Sequence, residues 1–345
     1  MSKNVGFALL GCGHIAKKHA DAIQELSTGT LVAVCDLDAK SAQAFGESYG
    51  IDWFTSTDEM MDKKGQDIDV INILTPSGYH YQNTIDLVPY GKHLCVEKPM
   101  ALNTKDADSM IQACDAAGIH LFVVKQNRFN WAVQQLHQAV ERDRLGKLVI
   151  GSVCLRWCRP QSYYDKDAWR GTSDLDGGVF ANQASHFIDL LQWFMGDVES
   201  VFARGAKRLA NIEVEDTGVV ILKFKSGALG VVEATTGARP SNLEASLSIL
   251  GEGGAVEIGG PAVNELQTWK FQTPLSEDAN IFEQEQQQQD AGHTRHLRYL
   301  NTVVETVVDN KPPAVDGRTG RKSLELIEAI YKSMRLGREI TMAEL

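Results

Sequence analysis

Val5 to Leu10 form an apolar run that ends at Gly11-Cys12-Gly13-His14-Ile15-Ala16, and this junction constrains the fold more than any other stretch. A run without polar alternation is the pattern of a strand covered on both faces. Gly11 permits a tight turn out of the strand, Gly13 lets a ligand approach the backbone, and Ala16 stands where the third glycine of such a turn is replaceable. The amides that open the following helix, at His14 and Ile15, offer their positive end to that turn. The pattern is that of a strand-turn-helix unit cradling the pyrophosphate of a dinucleotide. Asp36 closes the next strand about 20 residues on, where a carboxylate binds ribose hydroxyls. A carboxylate there repels a 2′-phosphate, and no arginine lies within Leu37 to Lys40, so NAD is favoured over NADP, with Lys40 softening the preference.

The first 125 residues keep one rhythm. Strand patterns at Val5 to Leu10, Leu31 to Cys35, Val70 to Leu74, His93 to Val96 and His120 to Val123 alternate with amphipathic segments near Ile15 to Leu26, Ala39 to Tyr49, Tyr79 to Tyr90 and Thr104 to Ala117. Parallel strands with helical crossovers follow from that alternation. From Val149 the strands lengthen and turns join them: Val149 to Arg159, Val198 to Lys207, Thr217 to Lys223, Leu229 to Ala234 and Ala245 to Leu250. Such connections suit an antiparallel sheet. A helix over Val179 to Phe194 interrupts them, with Phe187, Leu190, Leu191 and Phe194 on its core face. The fold class is therefore α/β, with an α+β second domain: residues 1–125 bind the dinucleotide and 126–345 bind substrate. A last helix, near Gly320 to Leu336, packs back onto the body, and the Gln- and Glu-rich stretch Glu277 to His293 reads as exposed.

A chain of 345 residues with 43% apolar and 23% charged residues suits two globular domains. The net charge of −11 argues against a nucleic-acid surface, which needs a basic stripe. Neither an apolar run long enough to span a membrane nor a signal-like amino terminus is present, so no membrane partner and a cytoplasmic location are expected. The six cysteines lack ligand spacing, and Cys154 and Cys158 would stand roughly 13 Å apart along a strand, too far for a disulfide. No metal site is expected, and His293 and His296, in a polar neighbourhood, read as solvated.

Three further segments carry chemistry. Thr75-Pro76-Ser77-Gly78-Tyr79-His80 closes one strand and starts a helix, with Thr75, Ser77 and His80 candidates for the cofactor; Ser77 caps the helix and faces the cofactor, or caps the helix and no more. Glu97-Lys98-Pro99 closes the following strand, and ligands of open α/β sheets sit beyond strand ends. Glu97 either pairs with Lys98 or caps the turn. The third runs from Trp169-Arg170 through Asp176-Gly177-Gly178 to Asn182, His186 and Asp189, whose last three residues share one face of the predicted helix. An imidazole there can take a hydroxyl proton near neutral pH, with a carboxylate setting its tautomer.

Together, the Gly11-Cys12-Gly13-His14-Ile15-Ala16 turn, Glu97-Lys98-Pro99, and Gly177-Gly178 with Asn182, His186 and Asp189 resemble the Gfo/Idh/MocA oxidoreductases over nearly the whole chain. The resemblance implies a Rossmann domain, a second domain on an open antiparallel sheet, oligomerisation through that sheet as a homodimer or homotetramer, and hydride transfer between NAD and a sugar or polyol carbon. It also implies Lys98 and His186 as the catalytic pair, with Trp169 and Arg170 touching the cofactor beside Glu97 and Lys98.

A narrower resemblance rests on Lys125-Gln126-Asn127-Arg128-Phe129-Asn130, Tyr163-Tyr164, Trp169-Arg170-Gly171-Thr172 and Asn182-Gln183. These are similar to the UDP-N-acetylglucosaminuronate 3-dehydrogenases of bacterial surface-polysaccharide synthesis, which implies a nucleotide-sugar substrate. Asn127, Arg128, Arg159, Tyr163, Tyr164, Asn182, Asp189 and Arg239 are then its candidate ligands, because a diphosphate and a carboxylate need local guanidinium groups on an acidic protein. Arg156 and Arg170 belong to the same set. Dehydrogenation of a free sugar or inositol, and a non-catalytic NAD sensor, remain open alternatives.

Overall fold

The computed structural model describes residues 4–288 and 292–345. In chain order the elements are β1 (Val5–Leu10), α1 (His14–Gln24), β2 (Gly29–Cys35), α2 (Ala39–Tyr49), β3 (Asp52–Phe54), α3 (Thr57–Lys64), β4 (Val70–Ile73), α4 (His80–Leu87), β5 (His93–Val96), α5 (Thr104–Ala116) and β6 (Leu121–Val123). They continue with α6 (Trp131–Glu141), β7 (Leu148–Arg156), α7 (Gln161–Tyr164), α8 (Ser185–Met195), β8 (Val198–Ala206), β9 (Thr217–Phe224), β10 (Leu229–Thr235), β11 (Glu244–Gly251), β12 (Gly254–Gly259) and β13 (Glu265–Phe271). The last are α9 (Ile281–Gln286), α10 (Thr294–Asp309), α11 (Gly317–Leu336) and β14 (Ile340–Thr341).

The chain forms two units, and their boundary departs from the expected one. The first holds residues 4–126 and takes back 292–322; the second holds 127–288 and 323–345. Thus α10, assigned by sequence to the second domain, belongs to the first. Its spacing explains why: His296, Tyr299, Leu300, Val303 and Val304 form one buried stripe. Within the first unit α10 meets α1, and Val123 donates its amide to the Val315 carbonyl as the returning chain passes β6. Of the stretch Glu277 to His293, residues 289–291 lie outside the described residues, while α9 buries only Ile281.

In the first unit six parallel strands run in the order β3-β2-β1-β4-β5-β6. Every residue of β1, β4 and β6 is buried, as the unbroken apolar runs require. The order reverses between β1 and β4, so the crevice opens at their carboxyl ends, where the glycine turn and Thr75 sit.

The second unit carries eight strands in the order β13-β12-β11-β7-β10-β9-β8-β14, antiparallel except where β7 and β10 run parallel. Alternation along β9 puts Val220, Leu222 and Phe224 in the core and leaves Val219 and Ile221 exposed. The core joins these residues to Phe187, Leu190, Leu191 and Phe194 of α8, the face read from sequence. No helix among the described residues is long and apolar enough to cross a membrane.

Candidate active site

The first unit offers a place for a dinucleotide. Gly11 has φ +105°, and a Cβ there would lie 3.0 Å from the Leu74 carbonyl, so glycine is required twice over. A Cβ at Gly13 would instead meet nothing within 4 Å, and no side chain caps the α1 amino terminus that begins there. Open space over uncapped helix amides fits a pyrophosphate, with His14 and Ile15 supplying the first amides. Asp36 accepts the Cys12 amide at 2.7 Å through Oδ2 and the Asp38 amide at 2.9 Å through Oδ1, tying the turn to the end of β2. Burial and this carboxylate push the Cys12 thiol up to about 12, which leaves it inert.

Beyond β4 and β5 the candidate side chains take protein partners that their spacing did not announce. Ser77 caps nothing: no side chain caps the short turn it opens or α4 after it. Thr75 Oγ1 donates to Asn83 Oδ1 at 2.7 Å. His80, expected at the cofactor, is buried, with Nδ1 2.8 Å from the Pro99 carbonyl and Nε2 2.8 Å from the Thr75 carbonyl. It bridges the two loops, and burial lowers its pKa. Glu97, also expected at the cofactor, turns into the unit instead. Its Oε1 lies 3.0 Å from His19 Nε2 and 3.8 Å from His296 Nε2, and its Oε2 accepts the Lys98 amide at 3.1 Å. Burial alone would raise the Glu97 pKa, but the two imidazoles outweigh it and hold the carboxyl well below its ordinary range. His296, read as solvated, is fully buried, and burial pushes it down to about 4.

In the second unit α8 starts at Ser185, six residues later than expected, because the two glycines at 177 and 178 head a run of turns. Asn182 therefore lies outside the helix that carries His186 and Asp189, and the predicted common face loses its amide. Asn182 donates instead to Asp176 Oδ1, while Asp176 Oδ2 accepts the Gly171 amide at 2.7 Å. Asp176 thus staples the Trp169-Arg170-Gly171 turn to the approach of α8, a role no sequence spacing announces. A Cβ at Gly178 would lie 2.0 Å from the Glu215 carboxylate oxygens, and Glu215 itself accepts the Tyr331 hydroxyl at 2.9 Å and the Phe180 amide at 3.3 Å. Burial raises the Glu215 pKa. His186 stands half-buried in the first turn of α8.

The candidate substrate ligands divide in two. Arg128 holds Asp189 through paired 2.8 Å bonds, with its guanidinium 4.7 Å above the Trp193 ring, so these two residues anchor α8 to each other. Tyr164 is buried, its hydroxyl 2.9 Å from Thr236 Oγ1, and Asn127 is buried as well. Arg156 is held by Glu233 and Glu244 across the sheet. Around Tyr163, by contrast, guanidinium groups gather. Arg170 donates to its hydroxyl at 2.6 Å, lies 4.7 Å above the Trp169 ring and pairs with Asp167; the Arg159 guanidinium stands 5.3 Å from the Tyr163 ring centre; Arg239 donates to the Arg159 carbonyl at 3.2 Å. Among the described residues Arg159 donates only to the Cys158 carbonyl and the Asn242 amide oxygen, and Arg239 only to carbonyls and, at 3.8 Å, to the Cys158 thiol. Among the described residues no carboxylate pairs with either.

Comparison with known proteins agrees with this architecture. Residues 5–125 match the model of an oxidoreductase family with an NAD-binding Rossmann fold, and residues 133–257 match the GFO/IDH/MocA C-terminal domain. The structure is similar to the WlbA dehydrogenase of Chromobacterium violaceum in complex with NADH and UDP-GlcNAcA, at 43% identity and TM-score 0.92, covering 99% of this chain and 96% of the other. The WlbA dehydrogenase of Bordetella pertussis, with the same two ligands, is 41% identical at TM-score 0.94 over 98% of each chain. More distant is the myo-inositol 2-dehydrogenase of Thermotoga maritima, 26% identical over 98% of both sequences.

Proposed function

This chain belongs to the Gfo/Idh/MocA oxidoreductase family and is an NAD-dependent oxidoreductase; from that premise we propose that it oxidises the 3-hydroxyl of UDP-N-acetylglucosaminuronate to the 3-keto sugar. The reaction would run in the cytoplasm and feed bacterial surface-polysaccharide synthesis. NAD, when bound, supplies the hydride acceptor. His186 takes the proton of the hydroxyl as its carbon is oxidised, and Lys98 donates a hydrogen bond to the same oxygen and stabilises the forming carbonyl. Asp189, fixed by Arg128, keeps α8 and therefore His186 in place.

One observation carries the choice of substrate: Arg159 and Arg239 stand together with no carboxylate partner among the described residues, in a protein of net charge −11. Uncompensated guanidinium groups suit a diphosphate or a uronate, and a free polyol offers neither. Arg159→Ala and Arg239→Ala should each raise KM for the nucleotide sugar about tenfold or more while kcat changes little, since they would remove binding common to ground and transition states. Unchanged KM values in both variants would refute this substrate class.

The exposed aliphatic stripe of the second sheet, Val219, Ile221 and Leu229, is assigned to contact with a second copy of the chain. Three large aliphatics on one open sheet face mark a contact surface rather than scattered exposure.

A further inference from the structure

We propose that the buried trio His19, Glu97 and His296 places and charges Lys98, which makes Glu97 a positioning residue for the reaction. The inference rests on the reading of Lys98 as the group that polarises the substrate oxygen. The trio comes from three elements of the first unit: α1, the end of β5 and α10. Its side chains are at most 7% exposed. Apolar residues would fill such positions without the cost of removing a carboxylate and two imidazoles from water.

Donor and acceptor accounting fixes the arrangement. Asn72 Nδ2 lies 2.9 Å from His19 Nδ1, and an amide nitrogen can only donate, so His19 carries its proton on Nε2 and donates it to Glu97 Oε1. Among the described residues His296 has no hydrogen-bond partner on either ring nitrogen, and its Nε2 lies 3.8 Å from that same oxygen. A buried imidazole so placed favours the ionised carboxylate. The other oxygen of Glu97 accepts the Lys98 amide and so determines where Lys98 leaves the strand. The ionisable groups that face the trio are Lys18 of α1, Arg295 of α10, His80 and Lys98 itself, with Cys95 and Tyr299 held neutral by burial. A fixed anion next to Lys98 keeps the ammonium protonated, and therefore able to donate, to higher pH.

Glu97→Gln tests this, because the amide oxygen can still accept from the Lys98 amide while the charge is lost and the oxygen that accepted from His19 is replaced by a donor. The expected result is a kcat at least tenfold lower, KM values within about twofold, and an alkaline limb of the pH profile moved down by about one unit. In the cofactor-free protein the Lys98 titration, followed by NMR after reductive ¹³C-methylation and identified by its loss in Lys98→Met, should move down by the same amount. If Glu97→Gln does not fold, His296→Leu should give a smaller shift in the same direction. Parental kcat and parental Lys98 titration in the variant would overturn the proposal, as would a stoichiometric divalent metal in the purified protein, since these three donor groups lie within 4.8 Å of one another. Lys98→Met separates the two claims. If it loses about 10²-fold or more while Glu97→Gln is normal, only the positioning role fails; if Lys98→Met is itself normal, the reading of Lys98 fails.

Discussion

At the scale of single residues, legibility followed how local the constraint was. Gly11 could be read because one turn demands its φ of +105°, and the placement of Lys98 after β5 because a strand end dictates it. Glu97, His80 and Asp189 were expected at the cofactor or the substrate, and the protein partners they take were not legible because these lie elsewhere along the chain: His296 for Glu97, the Pro99 carbonyl for His80, Arg128 for Asp189. His296 also yields a stability prediction. Its folded pKa, about 4, lies below the ordinary 6.5, so the unfolded chain binds its proton first. The contribution of the neutral, buried ring is complete above pH 6.5 and is lost as pH falls towards 4, by roughly 2 to 3 kcal/mol at most. The Glu97 carboxyl, whose pKa is lowered, loses its contribution only below its ordinary 4.5, at the foot of that window. Denaturant unfolding at several pH values between 7 and 4.5 should show stability falling, and His296→Leu should flatten the slope, since His80 remains in both proteins. An equal slope in the variant would contradict the buried neutral ring.

At the scale of elements, the parallel half was nearly complete in the sequence, because an unbroken apolar run and a following helix leave little choice. The short β3, β12 and the edge strands β13 and β14 were not recognised: β3 has three residues, and β13 alternates too weakly to stand out. The start of α8 was placed too early because Val179, Phe180 and Ala181 continue its apolar pattern while belonging to turns. The homing of α10 to the first unit was legible in its stripe but hidden by the Gln-rich stretch before it. The alternation of β9 and β10 gives the prediction at this scale. Light scattering at micromolar concentration should find a dimer or tetramer, and Ile221→Lys, a charge on the exposed stripe, should shift it towards smaller species. A parental monomer, or a variant that assembles unchanged, would remove the sheet face from the account.

At the scale of the whole molecule, an acidic chain sets the Arg159 and Arg239 guanidinium groups side by side in its second unit and leaves an uncapped helix terminus in its first. The first fits an anionic sugar nucleotide and the second a dinucleotide. The most direct measurement is reduction of NAD, followed at the NADH absorbance band with enzyme at substrate-level concentration, when UDP-N-acetylglucosaminuronate, UDP-N-acetylglucosamine and myo-inositol are offered separately. Reduction with the uronate, weaker reduction with the uncharged nucleotide sugar and none with inositol is the predicted result; reduction with inositol alone would contradict it.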